Sequence, residues 1–195
     1  MKHIKSLKQD ENMLLKGNGV REKNTRCTFR SVIKHLNWAN YRPQRAGIIP
    51  YIIREDEILF AFGLDSKFRE LTDFGGGISY KKDKTAVVGA LRELKEESLG
   101  IFGDLKPKDL ENSFVVYNLG MMIVFYLIEA DPRGKNNLFH ERLKAEKNPE
   151  VCDVVWLDEE ELRRSLDPKS RIIYLRVRRL LAEAGNFYDY LRNPP

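Results

Sequence analysis

The clearest pattern along the chain is a series of short apolar runs that are separated by polar turns. Residues 46–53 and 58–64 are apolar and rich in β-branched or aromatic side chains, and the polar turn 55–57 separates them. This arrangement predicts a β-hairpin. Pro50 interrupts the first run, which indicates an edge strand or a bulge at that point. Residues 114–119 and 121–130 predict a second hairpin around Gly120.

Other segments have helical spacing or are polar throughout. Residues 85–99 and 169–184 place apolar side chains on one face, and 29–38 (FRSVIKHLNW) does so over a shorter span; all three predict helices. Residues 131–149 predict a long polar loop, 151–157 a strand and 159–166 a short helix. Strands on both sides of a central helix indicate an α+β fold, in which a mixed sheet is sandwiched by helices.

Charge divides the chain into two parts. Of the total net charge of +5, residues 1–46 carry eleven Lys or Arg against three acidic residues, and the remainder is mildly acidic. We therefore predict a basic N-terminal extension, partly helical or flexible, over residues 1–44 and one catalytic domain over 45–195. A basic segment attracts polyanions such as RNA, although a solvated leader is the simpler interpretation.

Composition limits the cellular setting. No apolar run has the length of a membrane helix, and residues 1–9 lack the apolar stretch of a secretory signal. The two cysteines, Cys27 and Cys152, are far apart and provide no disulfide framework. We expect a soluble cytoplasmic protein without a membrane partner. Its oligomeric state stays open.

The strongest chemical signal is the acidic hexapeptide that begins at Arg92. On a helix, Glu93 and Glu97 are i,i+4 neighbours and Glu96 lies on the same side. Their mutual repulsion would be reversed by a bound cation, and carboxylates are the hard oxygen ligands that Mg²⁺ and Mn²⁺ prefer. An acidic surface helix without function is the alternative for the hexapeptide alone.

Three consecutive glycines precede this segment and change its interpretation. Gly75, Gly76 and Gly77 follow a predicted strand, and glycine permits close approach of a phosphate to the backbone. We therefore take Gly76 and Gly77 as candidate contacts of a bound phosphate or cofactor. Gly100 would cap the carboxyl end of the helix.

Residues 77–101 resemble the Nudix box, whose pattern is G-x5-E-x7-R-E-U-x-E-E-x-G-U with U a bulky aliphatic residue. The resemblance implies a Nudix-type α/β/α sandwich with a mixed sheet and a catalytic helix after a glycine-rich loop. It also implies a Mg²⁺- or Mn²⁺-dependent pyrophosphohydrolase in which Glu93, Glu96 and Glu97 bind the metal. Arg92 would orient one of these carboxylates.

The sequence departs from that pattern by two single-residue insertions. Five residues separate Gly77 from Asp83, which stands where the pattern has glutamate, and the position counted back from Arg92 falls on Lys84. Two residues, Ser98 and Leu99, precede Gly100 where the pattern has one. Asp83 could cap the start of the helix; whether Asp83 or Lys84 replaces the glutamate stays open.

Nudix enzymes often use a further carboxylate as base. Glu150 is the first choice here, and the alternatives are Glu146, Glu141 and His140.

The expected substrate is a nucleoside diphosphate linked to another moiety, and several candidates stay open. The basic extension and the arginines of the last predicted helix could bind RNA. Phe29, Trp38 and Tyr41 could stack bases. Both features would suit capped mRNA as the substrate. The box also loosely resembles that of viral mRNA-decapping Nudix enzymes. Alternatives are a dinucleoside polyphosphate, a nucleotide sugar, an inositol pyrophosphate, or a non-catalytic module that senses a nucleotide. The arginines that could bind RNA are Arg171, Arg176, Arg178 and Arg179.

Overall fold

The computed structural model describes residues 27–193, and its strands form one eight-stranded mixed sheet. The main strand order is β1-β6-β7-β2-β3-β4, with β5 paired to β2 and β8 paired to β3. The β2–β7 pairing is parallel and the other pairings are antiparallel. The strands are β1 (Phe29–Val32), β2 (Arg45–Arg54), β3 (Glu57–Asp65), β4 (Leu71–Thr72), β5 (Phe74–Gly77), β6 (Phe114–Tyr117), β7 (Met121–Leu127) and β8 (Val151–Asp158).

Alternation along the central strands creates two separate cores. Ile48 of β2 and Met122 of β7 belong to one buried cluster, whereas their neighbours Ile49 and Ile123 belong to the other. Successive side chains of a strand point to opposite faces, so each face of the sheet has its own core.

Helices cover both faces of the sheet. Helices α1 (Ala86–Glu97) and α2 (Pro132–Leu143) contribute to one core. Helices α3 (Glu159–Ser165), α4 (Leu175–Ala184) and α5 (Tyr188–Arg192) contribute to the other. Short 3-10 helices occupy Ile33–His35 and Pro107–Leu110. The predicted α+β sandwich with a mixed sheet is therefore confirmed.

Both predicted hairpins are present. Strands β2 and β3 pair across a two-residue turn, in which Glu55 and Asp56 have φ of 47° and 69°. Positive φ at both central residues is the geometry that matches the twist of a hairpin. Strands β6 and β7 form the second hairpin around Gly120.

The helix predicted over 29–38 is wrong. Phe29–Val32 is a strand that pairs with β6, and only one turn of 3-10 helix follows. The apolar positions do become buried, as at Val32, Ile33 and Leu36, but pairing with a distant strand determines the local conformation. This strand lies inside the predicted extension 1–44. Residues 1–26 lie outside the described part of the chain, so the boundary at 44/45 stays a prediction.

The long loop predicted over 131–149 is also wrong, because α2 occupies 132–143. The Asp131 side chain accepts a hydrogen bond from the Gly134 N–H, and Pro132 follows as the first helical residue. Both are strong start signals. Phe139 is the buried residue of this helix, so its apolar pattern was too weak to reveal it.

Two smaller expectations also need correction. Pro50 does not lie in an edge strand: it falls where the partner of β2 changes from β5, paired up to Ile48, to β3, paired from Tyr51. The helix predicted from 169 begins only at Leu175, because the Tyr174 N–H donates to the Leu71 carbonyl and the preceding segment bridges to β4. Among residues 27–193, no helix is long and apolar enough to cross a membrane.

Candidate active site

Helix α1 presents its acidic side next to strand β5. Ala86, Val87, Ala90 and Leu94 are buried on its inner face, and α1 packs against β2 and β5. The helix begins after Thr85, whose hydroxyl accepts a hydrogen bond from the Val88 N–H at 3.2 Å. Asp83 is therefore not the N-cap that the sequence suggested.

Asp83 instead holds the arginine that begins the acidic hexapeptide. It is buried, and its two carboxylate oxygens accept hydrogen bonds from Arg92 Nε at 2.9 Å and Nη2 at 3.2 Å. Oδ2 also accepts from the Ser79 N–H at 2.8 Å. The Arg92 hydrogen bonds lower the pKa of Asp83. Asp83 thus provides the carboxylate for Arg92, whereas Lys84 is exposed beside it.

The two inserted residues both adopt left-handed backbone conformations. Lys84 has a φ of 64° and Leu99 has a φ of 53°. The helix ends at Glu97 with Ser98 as its C-cap, Leu99 takes the position after the cap, and the Gly100 N–H donates to the Lys95 carbonyl. This is a Schellman ending with leucine at the position that glycine usually holds. Gly100 is thus not the capping residue itself.

Glu93 lies directly against the glycine strand. Its carboxylate is 2.7 Å from Arg92 Nη1. A Cβ on Gly76 would come within 2.5 Å of the Glu93 carboxyl carbon. Glycine at 76 is therefore needed for the approach of Glu93, and Gly77 has open space around it. All three glycines lie in or at the end of strand β5, not in a loop.

The carboxylate of Glu97 is more buried than that of Glu93. Its Oε2 accepts a hydrogen bond from the Gly75 N–H at 2.7 Å. Burial, reinforced by the charge of Asp73, raises the pKa of Glu97 to about 8. The pKa of Glu93 is also raised, first by burial. In both cases burial disfavours the charged form of the carboxylate.

A buried ion pair behind this face was not anticipated from the sequence. Arg45, at the start of β2, makes two hydrogen bonds of 2.7 and 2.8 Å to Asp73. Asp73 is fully buried immediately before β5. A charged residue on each of two otherwise apolar segments was the available signal, but nothing in the sequence indicated that they meet.

Glu96 is arranged differently from Glu93 and Glu97. Its side chain is 60% exposed and lies 3.1 Å from Arg92 Nη1. Within residues 27–193, no three acidic, histidine or cysteine side chains converge on one point as they stand. Mg²⁺, however, typically binds one or two carboxylates and keeps water or substrate phosphates as its other ligands. Glu93 and Glu97 beside the glycine strand fit that donor set.

The four candidate bases lie at different places. Glu150 precedes β8 and is exposed. Burial is the first cause of the raised pKa of Glu93, and the charges of Glu96 and Glu150 add to it, whereas Arg92 lowers it. Glu141 and Glu146 are exposed. His140 lies on α2, with Nε2 2.9 Å from Asp153. Of the four, Glu150 is the one whose charge acts on Glu93 of α1.

Two groups of basic residues lie on opposite sides of the sheet. Lys81, Lys82 and Lys84 are exposed and flank Asp83, beside the acidic face. Helix α4, which carries Arg176, Arg178 and Arg179, packs in the other core. Arg176, Arg178 and Arg179 therefore lie across the sheet from the glutamates, whereas Arg171 precedes this helix and is exposed. The basic segment 1–26 lies outside the described residues.

The aromatic residues considered for base stacking pack largely on one another. Phe29 and Tyr41 contact Tyr117, with ring centroids 5.6 and 5.0 Å apart. Trp38 lies 6.1 Å from Tyr41. On the other hand, Arg42 lies over the ring of Tyr80 at 4.3 Å, next to the lysines of the 81–84 segment.

Solved structures with a similar fold include two whose names describe nucleotide chemistry. One is an Ap4A hydrolase from C. elegans in a binary complex, at 17% identity and a TM-score of 0.44, with 77% of this chain and 98% of that chain covered. The other is the NUDIX domain of Shewanella oneidensis NrtR complexed with ADP ribose, at 13% identity and a TM-score of 0.41, with 76% and 93% covered.

The chain resembles Nudix proteins in fold. At such identities and TM-scores, the likeness assigns neither a substrate nor an activity to this chain. No family model matches the sequence, and no curated protein matches it.

Proposed function

We propose that this chain is a divalent-metal-dependent hydrolase of the Nudix type that cleaves a phosphoanhydride bond in a nucleoside diphosphate linked to another moiety. The observation that carries the proposal is the placement of Glu93 and Glu97 against the glycine strand. Glu93 lies next to Gly76, and Glu97 accepts a hydrogen bond from Gly75. Carboxylates gathered beside an accessible backbone provide a place for a cation and for substrate phosphates.

Glu93 and Glu97, with Glu96 after a rotation of its exposed side chain, would hold Mg²⁺ or Mn²⁺. A bound divalent cation supplies charge neutralisation for the diphosphate and a lower pKa for water. The chain's own groups prepare this site: Arg92 fixes the Glu93 carboxylate, and the Gly75 N–H fixes that of Glu97. Gly77 leaves open space for a phosphate oxygen beside the strand.

Glu150 is the proposed base. Its carboxylate would take a proton from the attacking water, whose oxygen forms a bond to phosphorus as the anhydride P–O bond breaks. The phosphate-bearing product leaves with the bond's electron pair. Glu150 is exposed, and its charge acts on Glu93; both observations support this choice of base.

Two substrate classes fit the charges around the site. Capped RNA would place its chain along the exposed lysines 81, 82 and 84 and near the Arg42–Tyr80 pair, since phosphate contacts and stacking together bind single-stranded RNA. A dinucleoside polyphosphate, nucleotide sugar or inositol pyrophosphate would use the same lysines for fewer phosphates. Salt dependence separates these classes, because each released counterion steepens it.

The test is phosphate or nucleotide release with and without Mg²⁺ or Mn²⁺. The panel contains capped RNA, Ap4A, ADP-ribose, a nucleotide sugar and an inositol pyrophosphate. We expect metal-dependent turnover of at least one member. Binding of a nucleotide without turnover of any member would favour the non-catalytic sensing module and contradict the enzyme.

A pair of matched variants tests the site itself. Glu97→Gln removes a charge at the proposed metal site and should lower kcat by at least about a hundredfold, in the range of losses for groups that act on a reacting centre. Glu160→Gln makes the same chemical change on α3, where the side chain is 80% exposed, and should leave kcat unchanged. Near-normal turnover by Glu97→Gln would show that the metal site is assigned wrongly.

A further inference from the structure

We propose that the buried pair Arg45–Asp73 is a positioning device, which holds the Gly75 backbone so that Glu97 is presented to the metal. This inference rests on the proposed function, because it assigns residues that prepare the same site. Neither residue touches the face where substrate would bind: the side chains are 10% and 0% exposed.

Arg45 is held rigidly. Its Nη1 donates to Asp73 Oδ2 at 2.8 Å, and its Nη2 donates to Asp73 Oδ1 at 2.7 Å. This bidentate contact fixes the plane of the guanidinium. Nη2 also donates to the Gly75 carbonyl at 2.8 Å. The orientation of the Gly75 carbonyl is therefore set by a side chain that is itself clamped.

Gly75 connects the pair to Glu97. Its carbonyl accepts from Arg45, and its N–H donates to Glu97 Oε2 at 2.7 Å. Because both contacts belong to one residue of strand β5, a shift of the Arg45 guanidinium moves the donor that holds Glu97. The chain of contacts runs from Asp73 through Arg45 and Gly75 to the carboxylate.

The strands leave no spare room around the pair. A Cβ on Gly47 would lie 1.9 Å from Asp73 Oδ2, and a Cβ on Gly75 would lie 2.4 Å from the Gly47 Cα. Real Cβ atoms do not approach so closely, and the obstruction at Gly75 is backbone. Two glycines that face each other in the β2–β5 pairing therefore allow the Asp73 carboxylate to enter the sheet.

Stability alone does not account for such a pair. Replacing a buried ion pair by apolar side chains is often neutral or stabilising, because desolvation offsets the attraction. A lone arginine at this place would compete with the cation, whereas the pair positions Glu97 with little net charge.

The experiment compares Arg45→Lys with wild type by Mn²⁺ affinity from electron paramagnetic resonance. Lysine keeps the charge but lacks the planar fork, so the variant should fold and bind Mn²⁺ about 10- to 100-fold more weakly, as for groups that orient metal ligands. On a substrate found in the panel, kcat should fall while KM stays constant, and added Mg²⁺ should recover part of kcat. The Gly75 amide signal, followed with ¹⁵N-glycine, should shift in Arg45→Lys.

Asp73→Asn is the second variant and should weaken Mn²⁺ binding in the same direction. Leu181→Ala, a truncation in the core on the other side of the sheet, is the control: it lowers Tm without changing Mn²⁺ affinity. A purely structural role predicts that Arg45→Lys behaves like Leu181→Ala, and that result overturns the proposal. Failure of both Arg45→Lys and Asp73→Asn to fold also overturns it.

The outcomes for the pair and for the enzyme are separable. If wild type turns over no substrate, the proposed function fails, while Mn²⁺ affinity and the Gly75 signal still judge the pair. If Glu97→Gln weakens Mn²⁺ binding and Arg45→Lys does not, the metal site stands and the positioning role is wrong.

Discussion

Two arginines hold opposite ends of the same glycine strand, and they do so in very different surroundings. Arg45 donates to the Gly75 carbonyl and is 10% exposed, whereas Arg92 donates to the Gly77 carbonyl and is 32% exposed. Each also pairs with a buried aspartate, Asp73 or Asp83. The contacts are chemically alike, but only those of Arg92 extend to solvent, through Glu96.

The difference teaches how rigidity is distributed around the site. The contacts of Arg45 are closed on all sides, so that pair can only hold a fixed geometry. Arg92 shares its Nη1 between Glu93 and the exposed Glu96, and the Glu96 carboxylate can leave it when a cation or substrate arrives. Arg45 thus keeps one fixed geometry, whereas the contacts of Arg92 can rearrange on binding.

The largest expected effect comes from removing the aspartate of each pair. Asp73→Asn leaves Arg45 buried without a counter-charge and should lower the free energy of unfolding by roughly 3–5 kcal/mol. Asp83→Asn leaves Arg92 partly in water and should cost only about 1–2 kcal/mol. Urea unfolding at pH 7 measures both. Equal losses would show that the two pairs do not differ as their exposure indicates.

The next effect concerns Glu97, which accepts a hydrogen bond from the Gly75 N–H. Its pKa in the folded protein is about 8, above the value of an unfolded glutamate. The folded state therefore retains this proton more tightly, and the associated stability is full below pH 4.5 and is lost as pH rises toward 8. Metal-free protein should lose on the order of a few kcal/mol over this window.

Thermal unfolding from pH 5 to 8 without metal checks this expectation, with Glu97→Gln as the comparison. The variant should show a flatter profile, because its side chain does not ionise. Mg²⁺ should restore Tm in wild type at pH 8 and not in Glu97→Gln. A wild-type profile identical to that of the variant would contradict the assigned pKa shift.

A smaller effect should distinguish neighbouring glycines of the strand. Gly76→Ala places a methyl group within 2.5 Å of the Glu93 carboxyl group. The side chain can yield, so the fold should persist while Mn²⁺ affinity falls about tenfold. Gly77→Ala meets no atom within 4 Å and should keep that affinity. Loss of turnover in Gly77→Ala with normal Mn²⁺ affinity would point to a phosphate contact there.

The smallest effect is expected at the inserted residue Lys84. Glycine at this exposed position, with φ of 64°, relieves a left-handed penalty of roughly 1–2 kcal/mol. The greater entropy of glycine in the unfolded chain offsets about half of it. Lys84→Gly should therefore raise Tm slightly. Leu99→Gly, which also removes a side chain packed on the core, should lower Tm. A fall in Tm for Lys84→Gly, or a rise for Leu99→Gly, would contradict this distinction.

Clear patterns of apolar positions made much of the fold predictable. The β2–β3 and β6–β7 hairpins, strand β8 and helix α1 all have apolar positions that match their final burial. Helix α2 was not predicted, because Phe139 is its one buried residue and gives no repeating apolar pattern. Strand β1 was not predicted, because its pairing with β6 joins segments that are far apart in sequence.

The site divides in the same way. The acidic face of α1 could be predicted, because i,i+4 spacing fixes which side chains share a side of a helix. The roles of Asp73 and Asp83 could not, since each depends on a contact across the fold with Arg45 or Arg92. Two charged residues in apolar segments reveal that something unusual is present, but only the packing shows that they are partners.

The parallel pairing of β2 with β7 has a consequence for how the protein folds during synthesis. The β2–β3 hairpin can form as soon as its residues leave the ribosome, but β2 cannot pair with β7 until Met121–Leu127 has emerged. Bringing such distant segments together costs loop entropy and slows folding. Because β2 also carries Arg45, the nascent chain can complete the site around Glu93 and Glu97 only late in synthesis. A ribosome-bound chain whose synthesis is stopped before β7 should lack this site.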